Sequence, residues 1–136
     1  MLRLAMIVTV AALAATAGAR TAEAYDCRVP ALINDTKKSV CAVPVLRRLD
    51  QEEGAGYGRL RATLGAPSRT ALLSDRVNFL DTRRTCAADI RCLEATYRAQ
   101  IRLYDALRFC VLGRGDQRAC VVAAIAKHRE ELHRSL

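Results

Sequence analysis

The sequence predicts an all-α protein, a small antiparallel bundle of four to five helices stapled by disulfides. Beyond the first two dozen residues, apolar side chains recur at three- and four-residue spacing and no alternating strand pattern occurs. Six cysteines (Cys27, Cys41, Cys86, Cys92, Cys110 and Cys120) flank the breaks between these periodic stretches. The breaks are short, which makes neighbouring helices antiparallel. With no tryptophan and only 4% aromatic residues, the core must come from Leu, Ile, Val and Ala. A domain of about 110 residues buries only roughly two-thirds of its unfolded surface, so cross-links must supply a large share of its stability.

Residues 1–24 read as a secretory signal peptide. Arg3 precedes an apolar run from Leu4 to Ala15, and Ala22-Glu23-Ala24 forms a small-residue cleavage site, with Ala17-Gly18-Ala19 as the rival. The run is too short to cross about 30 Å of hydrocarbon as a helix. Tyr25 and Asp26 stand where a lipid-attachment box wants small residues, so Cys27 reads as a disulfide cysteine and not as an anchor. Cleavage after Ala24 leaves one soluble domain, 25–136, periplasmic or secreted in a bacterium. It removes two arginines and one glutamate, taking the net charge from +8 to +7.

Taken in order, Asn34 or Asp35 caps a short helix through Cys41, and Val43-Pro44 opens a second with Leu46, Leu49, Tyr57, Leu60 and Leu64 on one face. Glu53 interrupts that stripe. Gly54, Gly56 and Gly58 each weaken a helix by about 1 kcal/mol, so this stretch kinks, packs closely or moves. Gly65-Ala66-Pro67-Ser68 ends the second helix and caps a third, which carries Leu72, Leu73, Val77 and Leu80 and ends in Arg83 and Arg84, where cations suit the helix dipole. Asp89 caps a fourth with Ile90, Leu93, Tyr97, Ile101, Tyr104 and Leu107 on one face. Gly113-Arg114-Gly115 breaks it before Asp116 caps a fifth through Val121, Val122, Ile125 and Leu132.

Six cysteines permit fifteen connectivities. Local geometry favours Cys27 with Cys41, Cys86 with Cys92 and Cys110 with Cys120, the last two pairs each stapling a helical hairpin.

The order Asp26-Cys27, Val40-Cys41, Leu46, Leu49-Asp50, Tyr57, Arg76, Phe79-Leu80 and then Arg83 to Leu93 with Tyr97 and Ile101 resembles the LprI-like family of bacterial exported proteins over residues 26 to about 103. Its most specific part is Arg83-Arg-Thr-Cys86-Ala-Ala-Asp89-Ile-Arg-Cys92-Leu93. The resemblance implies a small helical envelope protein that blocks lysozyme or another muramidase. Lys37, Asp75 and Gln100 depart from the family pattern, where Glu, Gln and Arg are frequent. A helical extension from about residue 109, with its own cysteine pair, lies beyond that pattern and could cover or add a binding surface.

No catalytic constellation, P-loop or metal motif is present, and no enzyme activity or cofactor is expected. His128 and His133 are five residues apart, so they do not converge on one metal, and both are expected on a solvated face. Arg69, Arg76 and Arg83, like Arg91 and Arg98, recur every seven residues as stripes expected in solvent. Few aromatic or amide side chains accompany them, which disfavours nucleic acid. Asp50, Glu52 and Glu53 form the one dense acidic cluster. If the second and third helices pair about residue 66, Asp50 meets Arg83 or Arg84 in a structural ion pair, leaving Glu52 and Glu53 as the expected contact with a cationic partner. The expected function is a non-catalytic envelope inhibitor or protein-binding module. The alternative is a basic structural protein associating with anionic envelope polymers or a membrane surface.

Overall fold

The structure, a computed structural model, describes residues 24–28 and 34–135; the leader through residue 23 falls outside the described residues. The described chain forms α1 (Asp35–Ala42), α2 (Pro44–Thr63), α3 (Ala66–Thr85), α4 (Ile90–Leu112) and α5 (Gln117–Ser135), with no strand among those residues. The expected all-α bundle of disulfide-stapled helices is what the chain adopts.

Most helix starts follow local chemistry. The Asn34 side chain accepts from the Lys37 N–H at 2.7 Å, the Asp89 side chain from Cys92 N–H at 3.0 Å, and that of Asp116 from Ala119 N–H at 3.1 Å. Ser68 is a correction: it is no cap but lies inside α3, 2% exposed. The helix begins earlier because Pro67 sits in its first turn, where a missing N–H costs nothing. Gly65, at the preceding N-cap, donates its N–H to the Gln117 side chain at 2.8 Å and so ties the α2–α3 turn to α5.

The central element is α4, which packs most extensively on α2 and then on α5 and α3; α1 lies on α2, and α3 on α5. Two apolar clusters result. One joins Val40, Leu46, Leu49, Phe79, Leu93 and Tyr97; the other joins Tyr57, Leu60, Leu72, Tyr104, Leu107, Val121 and Ile125. The extension therefore completes the second cluster: Val121 and Ile125 of α5 are buried in it. Cys27–Cys41, Cys86–Cys92 and Cys110–Cys120 are bonded, with Cα separations of 5.5, 5.5 and 5.7 Å.

The glycines do not break α2, which runs unbroken from Pro44 to Thr63. Gly56 is there for close approach: a Cβ at this position would lie 2.9 Å from Cδ2 of the Tyr104 ring. Gly58 meets nothing within 4 Å. Alanine at position 58 is therefore expected to stabilise the protein by about 0.5 to 1 kcal/mol through helix propensity. Alanine at position 56 is expected to lose about 1 to 2 kcal/mol net, because the buried ring must shift. Urea-denaturation midpoints of G56A and G58A check both, and a stabilised G56A would refute the packing account.

The α3 face differs from the expected one. Leu73 and Val77 are 54% and 51% exposed, while Asp75, Arg76, Phe79 and Arg83 point inward. Ile90 and Val122 are likewise exposed. The inward polar residues occupy core positions because each finds a partner on a facing helix.

Candidate functional site

Three polar sets cross the bundle. In the first, Asp50 of α2 accepts from Arg83 of α3 at 3.0 Å and from the Tyr97 hydroxyl of α4 at 2.7 Å, both on Oδ1. Its other oxygen accepts from the backbone N–H of Tyr25 at 2.6 Å. The Tyr25 ring lies 4.2 Å from the Arg83 guanidinium carbon. In the second, Glu53 bonds Arg76, and Tyr104 Oη donates to Glu53 at 2.7 Å; Arg76 also stacks on Tyr57 at 4.3 Å. In the third, Gln100 donates to Asp75 at 2.8 Å, and Arg129 of α5 approaches the same carboxylate at 3.7 Å.

Burial pushes the Glu53 carboxyl above its ordinary range, against the pull of Arg76 and the Tyr104 hydroxyl. Burial likewise raises both tyrosine hydroxyls far above their usual range, so Tyr97 and Tyr104 stay protonated and serve as donors.

Several expected site residues move with this geometry. Asp50 pairs with Arg83; Arg84 instead bonds Asp81 on its own exposed helix face at 2.9 Å. The α3 end turns Arg83 inward and Arg84 outward, since adjacent helical residues diverge by roughly 100°. Glu53 is 1% exposed and committed to Arg76, so it offers no contact surface. Arg76 and Arg83 are buried, contrary to a solvated stripe, whereas Arg69, Arg91 and Arg98 are exposed as expected. His128 is 9% exposed under α4, not on a solvated face, and burial lowers its pKa. Among the described residues, no group of three His, Cys, Asp or Glu side chains is placed to hold a metal ion. None of the described helices is long and apolar enough to cross a membrane.

Glu52 stays outside. It is exposed, makes no ion pair among the described residues, and stands on the rim of a cavity of about 240 Å³ between α2 and α4. Gly56, Leu60, Ile101, Tyr104 and Val111 line this groove. Leu112 borders it at 80% exposure, and Phe109, at 75%, lies one helical turn away. Its charged rim holds Glu52 and Asp105 with Arg59 and Arg108, a neutral balance on a chain of net +8. Tyr104 is shared, its ring lining the groove and its hydroxyl closing the Glu53–Arg76 set beneath. Its part was missed in the sequence, although Tyr97 and Tyr104 repeat the seven-residue interval of Arg76 and Arg83 in antiparallel register.

Compared with protein-family models, curated proteins and solved structures, the chain matches none.

Proposed function

We propose that the protein is an exported, non-catalytic binding protein of the bacterial envelope, related to the LprI-like family, and that it captures a protein partner, with a muramidase first among the candidates. One observation carries the reading: the α2–α4 groove, which holds the unpaired carboxylate of Glu52 on its rim and the exposed Leu112 at its border, with the exposed Phe109 one helical turn from Leu112. Exposed aromatic and aliphatic anchors next to an apolar depression are the usual core of a protein-binding patch. Its neutral rim lets a basic protein approach without the repulsion that the processed chain, at net +7 after the loss of two arginines and one glutamate, would otherwise impose. The buried acids cannot serve in this way, because Asp50 and Glu53 are held by arginines inside the bundle.

The test is a turnover assay of the oxidised protein, lacking residues 1–24, against a panel of basic and acidic muramidases, with binding measured at two salt concentrations. Reversing Glu52 to lysine is expected to weaken capture of a basic muramidase by about tenfold, and Leu112→Ala by a similar factor, with helicity unchanged. Neither side chain is buried, so neither variant threatens the fold. Absence of binding and inhibition across the panel would remove the reading.

The second reading, a basic structural protein on anionic envelope polymers, draws on the exposed arginines Arg47, Arg48, Arg61, Arg69 and Arg91, none of which is in an ion pair among the described residues. Retention on an anionic polymer that falls steeply with salt, without muramidase binding, would favour it.

A further inference from the structure

The hydrogen bond from Tyr25 to Asp50 has an unusual donor. Tyr25 is the residue that follows Ala22-Glu23-Ala24, the cleavage site read from the sequence, so its backbone nitrogen is the atom that processing would expose. That nitrogen lies 2.6 Å from Oδ2 of Asp50, a carboxylate only 2% exposed in the middle of the first polar set. We infer that Asp50 is the docking site for the mature amino terminus, and that leader removal converts the Tyr25 amide into an ammonium that locks onto it. The inference rests on the export reading proposed above.

The chemistry is a single hydrolysis. A peptidase of the export route adds water across the Ala24–Tyr25 bond; the C–N bond breaks, the Ala24 carbonyl carbon takes the oxygen and leaves as a carboxylate, and the Tyr25 nitrogen takes both protons of the water to become an ammonium. No oxidant or reductant is involved. The one N–H that Asp50 accepts from Tyr25 is replaced by a charged donor, and charge-assisted bonds are roughly twice as strong as neutral ones.

The surroundings are built for this. Oδ1 of Asp50 already receives Arg83 and Tyr97, so Oδ2 is the position left for a second cation. The Tyr25 ring covers the Arg83 guanidinium, which shields the pair from water. Cys27, two residues on, is bonded to Cys41 of α1, and that tether holds the segment over α2. Charged or titratable groups facing the nitrogen are Asp50 from α2, Arg83 from α3 and Tyr97 from α4; Arg83 opposes the ammonium, and Asp50 favours it.

The test uses two oxidised chains, one beginning at Tyr25 and one at Glu23. The Tyr25 chain is expected to have a folding equilibrium constant about tenfold larger near neutral pH, the ratio that one charge-assisted bond implies. Its α-amine should titrate above the usual value of about 8. The raised value belongs to the folded state, so the advantage is fully present below about pH 8 and disappears as pH rises through the folded value. In Asp50→Asn the two chains should converge; if that variant fails to fold, the α-amine titration of the wild-type chain, followed by nitrogen NMR, stands alone as the test. Equal stabilities, or an α-amine titrating at its ordinary value, overturn the docking. Amino-terminal sequencing of the exported protein addresses the other premise, and a start other than Tyr25 overturns the maturation step while leaving the docking measured on the Tyr25 chain.

Discussion

Replacing Asp50 with alanine is expected to destabilise the protein by about 3 to 5 kcal/mol in urea denaturation, because it strands the Arg83 guanidinium inside the bundle. Arg83 is 8% exposed, and Asp50 is its only carboxylate partner among the described residues. The loss would be a large part of the roughly 5 to 15 kcal/mol that holds a domain together. The control is Asp81→Ala, which removes an equally short ion pair to Arg84 whose side chains are 62% and 65% exposed; it should cost less than about 1 kcal/mol. Combining Asp50→Leu with Arg83→Met should recover much of the loss, since a buried pair replaced by apolar side chains of similar size is often neutral or better. If Asp50→Ala costs no more than Asp81→Ala, the buried-pair account fails.

Reduction of all three disulfides is expected to unfold the protein. Their sequence separations are 14, 6 and 10 residues, which in the chain-entropy model amount to roughly 2 to 3 kcal/mol each and about 8 kcal/mol together. That sum is comparable with the whole stability of a small domain. The check is far-ultraviolet circular dichroism through a thermal ramp, with and without reductant. A cooperative transition retained at full helical amplitude in the reduced protein would show that the apolar clusters suffice without the bonds. Mapping of non-reduced peptides should recover Cys86 joined to Cys92.

Local signals translated well into local structure. Asn34, Asp89 and Asp116 cap because a short acceptor side chain meets an unbonded N–H whatever the rest of the chain does. Cysteines flanking short breaks bond because the hairpin brings them together. The antiparallel pairing of α2 and α3 was enough to place Asp50 near the end of α3, and the tertiary packing then chose Arg83 over Arg84.

Readings that depended on which polar residue faces inward went wrong for a common reason. Glu53, Arg76 and His128 look like surface residues when judged by hydrophobicity alone, and a polar side chain enters a core only when a facing helix supplies its partner. Asp75 and Gln100 illustrate this. Each is a polar residue of its own helix, yet in space they bond one another at 2.8 Å and meet Arg129 of α5. A sequence read one helix at a time holds no sign of such three-way meetings, although the shared seven-residue interval of Arg76–Arg83 and Tyr97–Tyr104 is a usable one.

The helices, their caps, the disulfide staples and the acidic cluster beside the glycines were therefore decided within short stretches of chain, by spacing and by backbone chemistry. The division of that acidic cluster was decided only by packing. Asp50 and Glu53, three apart on α2, turn inward to arginines of α3 and tyrosines of α4, while Glu52 between them turns out to the groove. The physical reason is that burying a charge is tolerable only where two other helices deliver a counter-charge and a hydrogen bond at the same depth, and that depth is a property of the assembled bundle.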